Sequence, residues 1–167
     1  IESLGGTIHE GSPATGLAVD GDGVRVTTTA GAIRADRVVV GTNAYPGVLK
    51  RLRAFILPVY DHVLMTEPLT SAQLAAVGWQ GREGLTDAGN QFHYYRRTLD
   101  DRILFGGFDA NYHFRGRIDP ALEQSASHDL LATHFFAIFP QLAGLRFTHR
   151  WAGVIDTTSR FTPFFGR

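Results

Sequence analysis

Cysteine is absent from all 167 residues, which excludes disulfides, thiolate metal sites and a cysteine nucleophile within this stretch. No G-x-G-x-x-G occurs, so a dinucleotide could not be held by this stretch alone. No apolar run approaches the roughly 20 residues that span a bilayer, which argues against a membrane partner. Excess charge is missing too: 16 Lys and Arg balance 16 Asp and Glu, so net charge suggests neither nucleic acid nor an anionic surface as partner. The opening "IESLGGTIHE" has neither a basic leader nor a starting Met. It reads as an interior stretch of a longer, cytoplasmic chain.

What is present is apolar and β-rich. Hydrophobic residues make up 44% of the chain and aromatics 11%, enough for a sizeable core. In "VDGDGVRV" the Asp20-Gly21 and Asp22-Gly23 pairs predict a hairpin, because glycine reaches positive φ without steric cost. A second turn follows at Ala30-Gly31, and the continuous run Val38 to Val40 predicts a strand buried on both faces. Beyond Pro46 the texture changes, and "AFILPVYDHVLMTEPL" is a long β stretch that Pro58 should interrupt. Thr70 with Gln73 forms a capping box and Gly78 a C-terminal stop, predicting a helix from Ser71 to Val77. Strands resume at "NQFHYYRR" and "DRILFGGFDA". Asp119 and Pro120 then start a helix whose Leu122, Ala126, Leu130, Leu131, Phe135 and Ile138 form its apolar face until Pro140. A last β segment runs from about Leu145 to Asp156. The fold class is α+β: a mixed, largely antiparallel sheet with helices, preceded by part of a second domain's β-structure. The expected division is residues 1–45, 46–150 and 151–167.

Four places invite a chemical reading. "VVVGTNAY" ends its strand in Gly41, Thr42, Asn43 and Ala44, small enough for a ligand's phosphates to approach, although taken alone they read first as a tight strand exit. His128 and His134 are six residues apart on one helix, which is not the spacing of a metal pair. His93 and His113 sit among aromatics and read first as core residues. Asp100 and Asp101 are turn residues rather than an acid–base pair.

The succession "ADRVVVGTNAY", "LPVYDHVLMTEPL", "FHYYRRTLDDRILFGG" and "RWAGVIDTTSRFTPFFGR" resembles the middle of the FAD-dependent oxidoreductases of the D-amino-acid oxidase and glycine oxidase type, in particular the γ-glutamylputrescine oxidase-like amine oxidases. The resemblance implies that FAD is the cofactor and that the Gly-rich segments holding it lie outside this stretch. It implies that residues 1–45 are part of an FAD domain, 46–150 a substrate domain and 151–167 a return toward the FAD domain. By the same resemblance Gly41, Thr42, Asn43 and Ala44 pass beside the cofactor, and Ala14 offers its backbone near the adenine. Catalysis would belong to the flavin, which takes a hydride from the carbon next to an amine.

The resemblance also directs attention to "WAGVIDTT". Glycine-oxidase-like members carry an arginine two residues after the Gly to clamp a substrate carboxylate, and Ile155 stands there instead. An apolar side chain cannot pair a carboxylate, which favours a small-molecule amine over an amino acid, and Asp156 beside it could attract the ammonium. Alternation in "QFHYYRR" puts Gln91, His93, Tyr95 and Arg97 on one face and Phe92, Tyr94 and Arg96 on the other. His93 and Tyr95 are expected to line the pocket, a choice that a one-residue slip would reverse. Two other readings remain: a non-catalytic module that binds a small molecule or a protein, and a structural domain. Alone, the stretch is expected to be inactive and free of flavin.

Overall fold

The computed structural model describes residues 1–45, 47–123 and 125–163; the closing Gly166-Arg167 pair lies outside them. The chain forms two compact units, Ile1–Phe55 and Ile56–Arg167.

In the first unit β1 (Ala14–Asp20), β2 (Gly23–Thr28) and β3 (Gly31–Ala35) form an antiparallel meander. Both turns fall where the Asp-Gly and Ala-Gly pairs placed them. Gly21 takes φ 64 in the first, and in the second the Thr28 hydroxyl accepts from the Ala30 N–H at 3.2 Å and donates to the Gly31 carbonyl. The expected strand Val38 to Val40 does not form. Val39 is 94% exposed, and no described strand pairs with this run. An apolar run becomes a central strand only when neighbours saturate its backbone on both sides. A 3₁₀ turn, Lys50–Ala54, closes the unit, so residues 47–55 belong with what precedes them and the division falls after the expected boundary at Pro46.

The second unit is built on β4 (Ile56–Thr66), β5 (Leu85–Thr86), β6 (His93–Arg97), β7 (Ile103–Gly107) and β8 (Phe147–Thr158), in the order β5-β6-β7-β4-β8. Every described pairing is antiparallel. Pro58 does not interrupt β4. β8 flanks β4 along its whole length, whereas β7 joins it only from Val63 onward, so at Pro58 no described strand pairs with the other edge and the missing N–H is tolerated. β8 likewise crosses the expected boundary after residue 150 without a break, because its ladder to β4 runs from Thr66↔Phe147 to Ile56↔Thr158.

Helix α1 (Ser71–Val77) has the predicted limits: Thr70 and Gln73 make both bonds of the capping box and Gly78 ends it at φ 71. The predicted second helix is divided. Pro120–Leu122 is a 3₁₀ turn capped by Asp119, Glu123 is extended, and α2 runs Ser125–Ile138. The turn is held down on β4 by the Tyr60 hydroxyl, which donates to the Asp119 carbonyl and accepts from its N–H, both at 2.8 Å. α2 instead lies along the sheet on Ser127, His128, Leu131 and Phe135. Leu130 and Ile138, expected on the apolar face, are more than a third exposed. Leu131 and Phe135 meet Leu64, Ile103, Phe105, Phe139 and Leu142 in the core, where each large side chain taken from water contributes ~1.5–3 kcal/mol. Among the described residues no helix is long and apolar enough to cross a membrane.

Candidate functional site

Strand alternation gives the five-stranded sheet two unlike faces. One is covered by α2 and carries His62, Leu64, Phe105, His93 and Tyr95. His93 is 6% exposed and stacks between Phe105 and Phe108 at ring separations of 5.0 and 5.1 Å. Its Nδ1 lies 2.6 Å from Asp87 Oδ2 and its Nε2 lies 2.9 Å from His134 Nδ1. Tyr95 packs on Trp79, Phe105 and Phe139. The two residues expected to line a pocket therefore belong to the core. Their neighbour Tyr94 is on the opposite face, which α2 does not cover. His128 sits edge-on to His62 at 5.0 Å and contacts the Trp151 carbonyl, so the two helical histidines serve different parts of the core, as their spacing implied.

The opposite face carries an unexpected pair. Tyr94 on β6 registers with Gly106 on β7, and Gly106 with Val63 on β4. Because Gly106 has no side chain, the phenol crosses β7 and donates to Asp61 Oδ2 on β4 at 2.5 Å. Asp61 is directly across from Gly153 on β8, where an added Cβ would meet nothing within 4 Å. One position toward each end of β8 on this face stand Trp151, opposite Val63, and Ile155, opposite Val59. These two are 36% and 47% exposed. Burial pushes the Asp61 carboxyl above its ordinary range, against the opposing pull of the Tyr94 hydrogen bond, the His62 charge and the backbone N–H groups of His62 and Gly107. Burial also pushes the Tyr94 phenol up, as does its hydrogen bond to a carboxylate.

Ile155 is thus on the same face as Asp61 and Tyr94. Asp156, opposite Pro58, points the other way, so the pair Ile155–Asp156 does not act on one surface. Asp61 and Tyr94 were missed by sequence reasoning. The available signal was a lone carboxylate inside the apolar run "ILPVYDHVLM", since such a residue is seldom buried without a partner.

Ala14 and residues 41–44 belong to the first unit. Ala14 opens β1 opposite Thr28 and is exposed. Thr42 to Tyr45 form a turn in which the Tyr45 N–H bonds to the Thr42 carbonyl at 3.1 Å, with Asn43 at φ 51 and Ala44 buried. Gly41 has open space where a Cβ would stand, so a ligand can approach its backbone closely. The described residues of this unit contain no α-helix and so no helix N-terminus for a pyrophosphate. They fit the edge of a dinucleotide, not its phosphates. No group of three or more His, Asp or Glu that could hold a metal occurs among the described residues.

The whole chain, residues 1–167, matches the family described as FAD dependent oxidoreductase (DAO). A probable oxidoreductase OrdL of Haemophilus influenzae is 32% identical over 98% of this chain and 36% of its own length. The gamma-glutamylputrescine oxidoreductase of Escherichia coli is 32% identical over 100% of this chain and 37% of its own length. The crystal structure of glycine oxidase from Geobacillus kaustophilus superposes with a TM-score of 0.73 at 20% identity, covering 99% of this chain and 41% of that one. The chain therefore spans little more than a third of the length of the curated relatives it matches.

Proposed function

Because this chain belongs to the DAO family of FAD-dependent oxidoreductases, we propose that it supplies the substrate-facing sheet of a flavoenzyme that oxidises a small amine, with the face bearing Asp61, Tyr94, Trp151 and Ile155 turned to the substrate. One observation carries the preference for an amine: Ile155 is about half exposed on that face, where an apolar side chain leaves a substrate carboxylate without a partner, at a cost of several kcal/mol if buried. FAD, when bound, supplies the acceptor for the hydride that leaves the carbon next to the amine nitrogen. Trp151 and Ile155 give the substrate's carbon chain an apolar surface that excludes water. The amine must be neutral to lose a hydride, and apolar surroundings favour that form. The turn at residues 41–44 would contribute backbone contacts at the cofactor's edge, and Ala14 its backbone near the adenine.

The test is anaerobic mixing of the full-length, FAD-loaded enzyme with matched amines and α-amino acids. The reading requires faster flavin bleaching by amines and falls if only amino acids bleach it. The 167-residue chain alone should be colourless and inactive, since the described residues of its first unit contain no α-helix and the sequence contains no G-x-G-x-x-G to cradle the pyrophosphate. Stoichiometric yellow flavin retained through gel filtration would overturn that part.

A further inference from the structure

We propose that Asp61 anchors a second, non-reacting ammonium group of the substrate, so that the compounds oxidised are diamines or amines with a distal cationic nitrogen. The proposal rests on the reading that this sheet face meets the substrate.

The acids of the second unit differ in their partners, and Asp109 and Asp119 are held by neutral groups, Asp109 by the Ser127 hydroxyl and the Asn111 amide and Asp119 by the Ala121 N–H. Glu67, Asp100 and Asp101 each form an ion pair with an arginine, and Asp87 hydrogen-bonds His93. Asp61 is half-buried and forms no ion pair with any described Arg or Lys; its side-chain partner is a neutral phenol. The phenol and the backbone N–H groups of His62 and Gly107 satisfy part of a carboxylate that can accept about four bonds. The nearest charge favouring its ionised form is His62, whose ring is on the helix-covered face against His128 and is itself held toward its neutral form by burial and by His128. A partly desolvated carboxylate held only by neutral donors and no cationic side chain costs stability, and a ligand cation is what would remove that cost.

The surroundings leave room for one. Gly153 opposite Asp61 contributes no side chain, and a Cβ there would touch nothing. Tyr94 holds the carboxylate through one oxygen and fixes its direction. Arg96 and His149 on the same face stand in the row of Met65, ~13 Å along the strand at about 3.4 Å per residue, so they do not compete for Asp61.

The anchored nitrogen cannot be the one oxidised. A carboxylate in contact stabilises the ammonium form and raises its pKa, whereas hydride loss needs the neutral amine. Asp61 therefore selects for a cation at one end of the substrate, while Ile155 and Trp151, which flank Gly153 on either side, give the carbon chain beside it an apolar surface.

The experiment compares full-length, FAD-loaded wild-type and Asp61→Asn enzymes on α,ω-diaminoalkanes and monoamines of equal carbon number. Asparagine keeps the shape and still accepts from Tyr94. The expected result is a fall of at least about tenfold in the diamine-to-monoamine ratio of kcat/KM, carried by KM. A second variant, Asp61→Glu, keeps the charge and extends it by a methylene, so the preferred diamine should become shorter; this guards against a folding defect in the first. An unchanged ratio together with an unchanged chain-length preference would overturn the proposal while leaving amine oxidation standing. If wild-type flavin is reduced by no amine at all, the underlying reading fails and the proposal with it.

Discussion

The phenol of Tyr94 lies directly over Gly106, so that a Cβ built on that glycine would come within 2.6 Å of Tyr94 Oη and 2.7 Å of Cζ. The Tyr94–Asp61 bond exists because β7 has no side chain at that point. Gly106→Ala should therefore expel the ring and break the pair, costing about 1–3 kcal/mol as an overpacked site. Gly153→Ala, with nothing near its Cβ, should stay within about 0.5 kcal/mol of wild type. Urea unfolding of both variants checks the contrast, and equal losses would refute it.

His93 should behave as a core residue. His93→Ala removes a ring stacked on Phe105 and Phe108 and should cost roughly 2–4 kcal/mol without altering the preference among amines. His93→Phe restores the stack but not the bonds to Asp87 and His134, and should recover most of the loss. The link to Asp87 also carries pH dependence. The hydrogen bond from His93 holds the Asp87 carboxyl below its ordinary range. A depressed folded pKa gives stability that is present above the unfolded value near 3.8 and is lost as pH falls through the folded one. Acid melting curves of wild type and His93→Phe should converge at low pH; parallel curves would show that the link contributes nothing.

Much of this arrangement was legible before the fold. The Asp-Gly turn, the Thr70–Gln73 capping box and the strands around "HYYRR" and "RILFGG" are set by neighbours in sequence, so local chemistry reveals them. Three features were not local. Whether Val38 to Val40 forms a strand depends on having neighbours to pair with. The break at Glu123 depends on Tyr60, far back in the chain, holding Asp119. The choice between Tyr94 and Tyr95 depends on which face α2 covers. In "HYYRR" both faces carry an aromatic and a cation, so the usual contrast of apolar and polar faces is missing. Asp61 is the reverse case: its oddity in an apolar strand was visible, but its partner could be found only through the pairing across Gly106.

Asp61 should cost the protein stability in proportion to its ionisation. Its folded pKa is raised, chiefly by burial, so its favourable contribution is complete below the unfolded value near 3.8 and is lost as pH rises through the folded one. At neutral pH the ionised carboxylate is the less stable choice. Asp61→Asn should accordingly melt higher than wild type at pH 7, by about a degree or more, and the gain should vanish toward pH 3–4. A diamine that binds at Asp61 should reduce the same gap by stabilising wild type alone. A variant that melts lower at neutral pH would show that the carboxylate is structural.

Ile155 and Asp61 stand on adjacent strands one step apart along the same face, a diagonal separation of ~7–8 Å that an arginine side chain easily spans. Ile155→Arg should therefore have two successive effects. In the single variant the guanidinium pairs with Asp61, a charge-assisted bond of the strong kind, and the anchor for a cationic substrate is neutralised. Diamine oxidation should fall by about tenfold or more, with only a small gain for amino acids. In Ile155→Arg/Asp61→Asn the guanidinium has no carboxylate partner within the sheet and is free to clamp that of a substrate. Preference for small α-amino acids over amines should then rise further, so that the two substitutions are not additive, as expected for residues in contact. The check is the ratio of kcat/KM for an amino acid and for the matching amine in all four forms of the full-length enzyme. Additive changes would mean that the two side chains do not share one surface at the substrate, and an unaltered ratio in the double variant would place Ile155 away from the reacting end altogether.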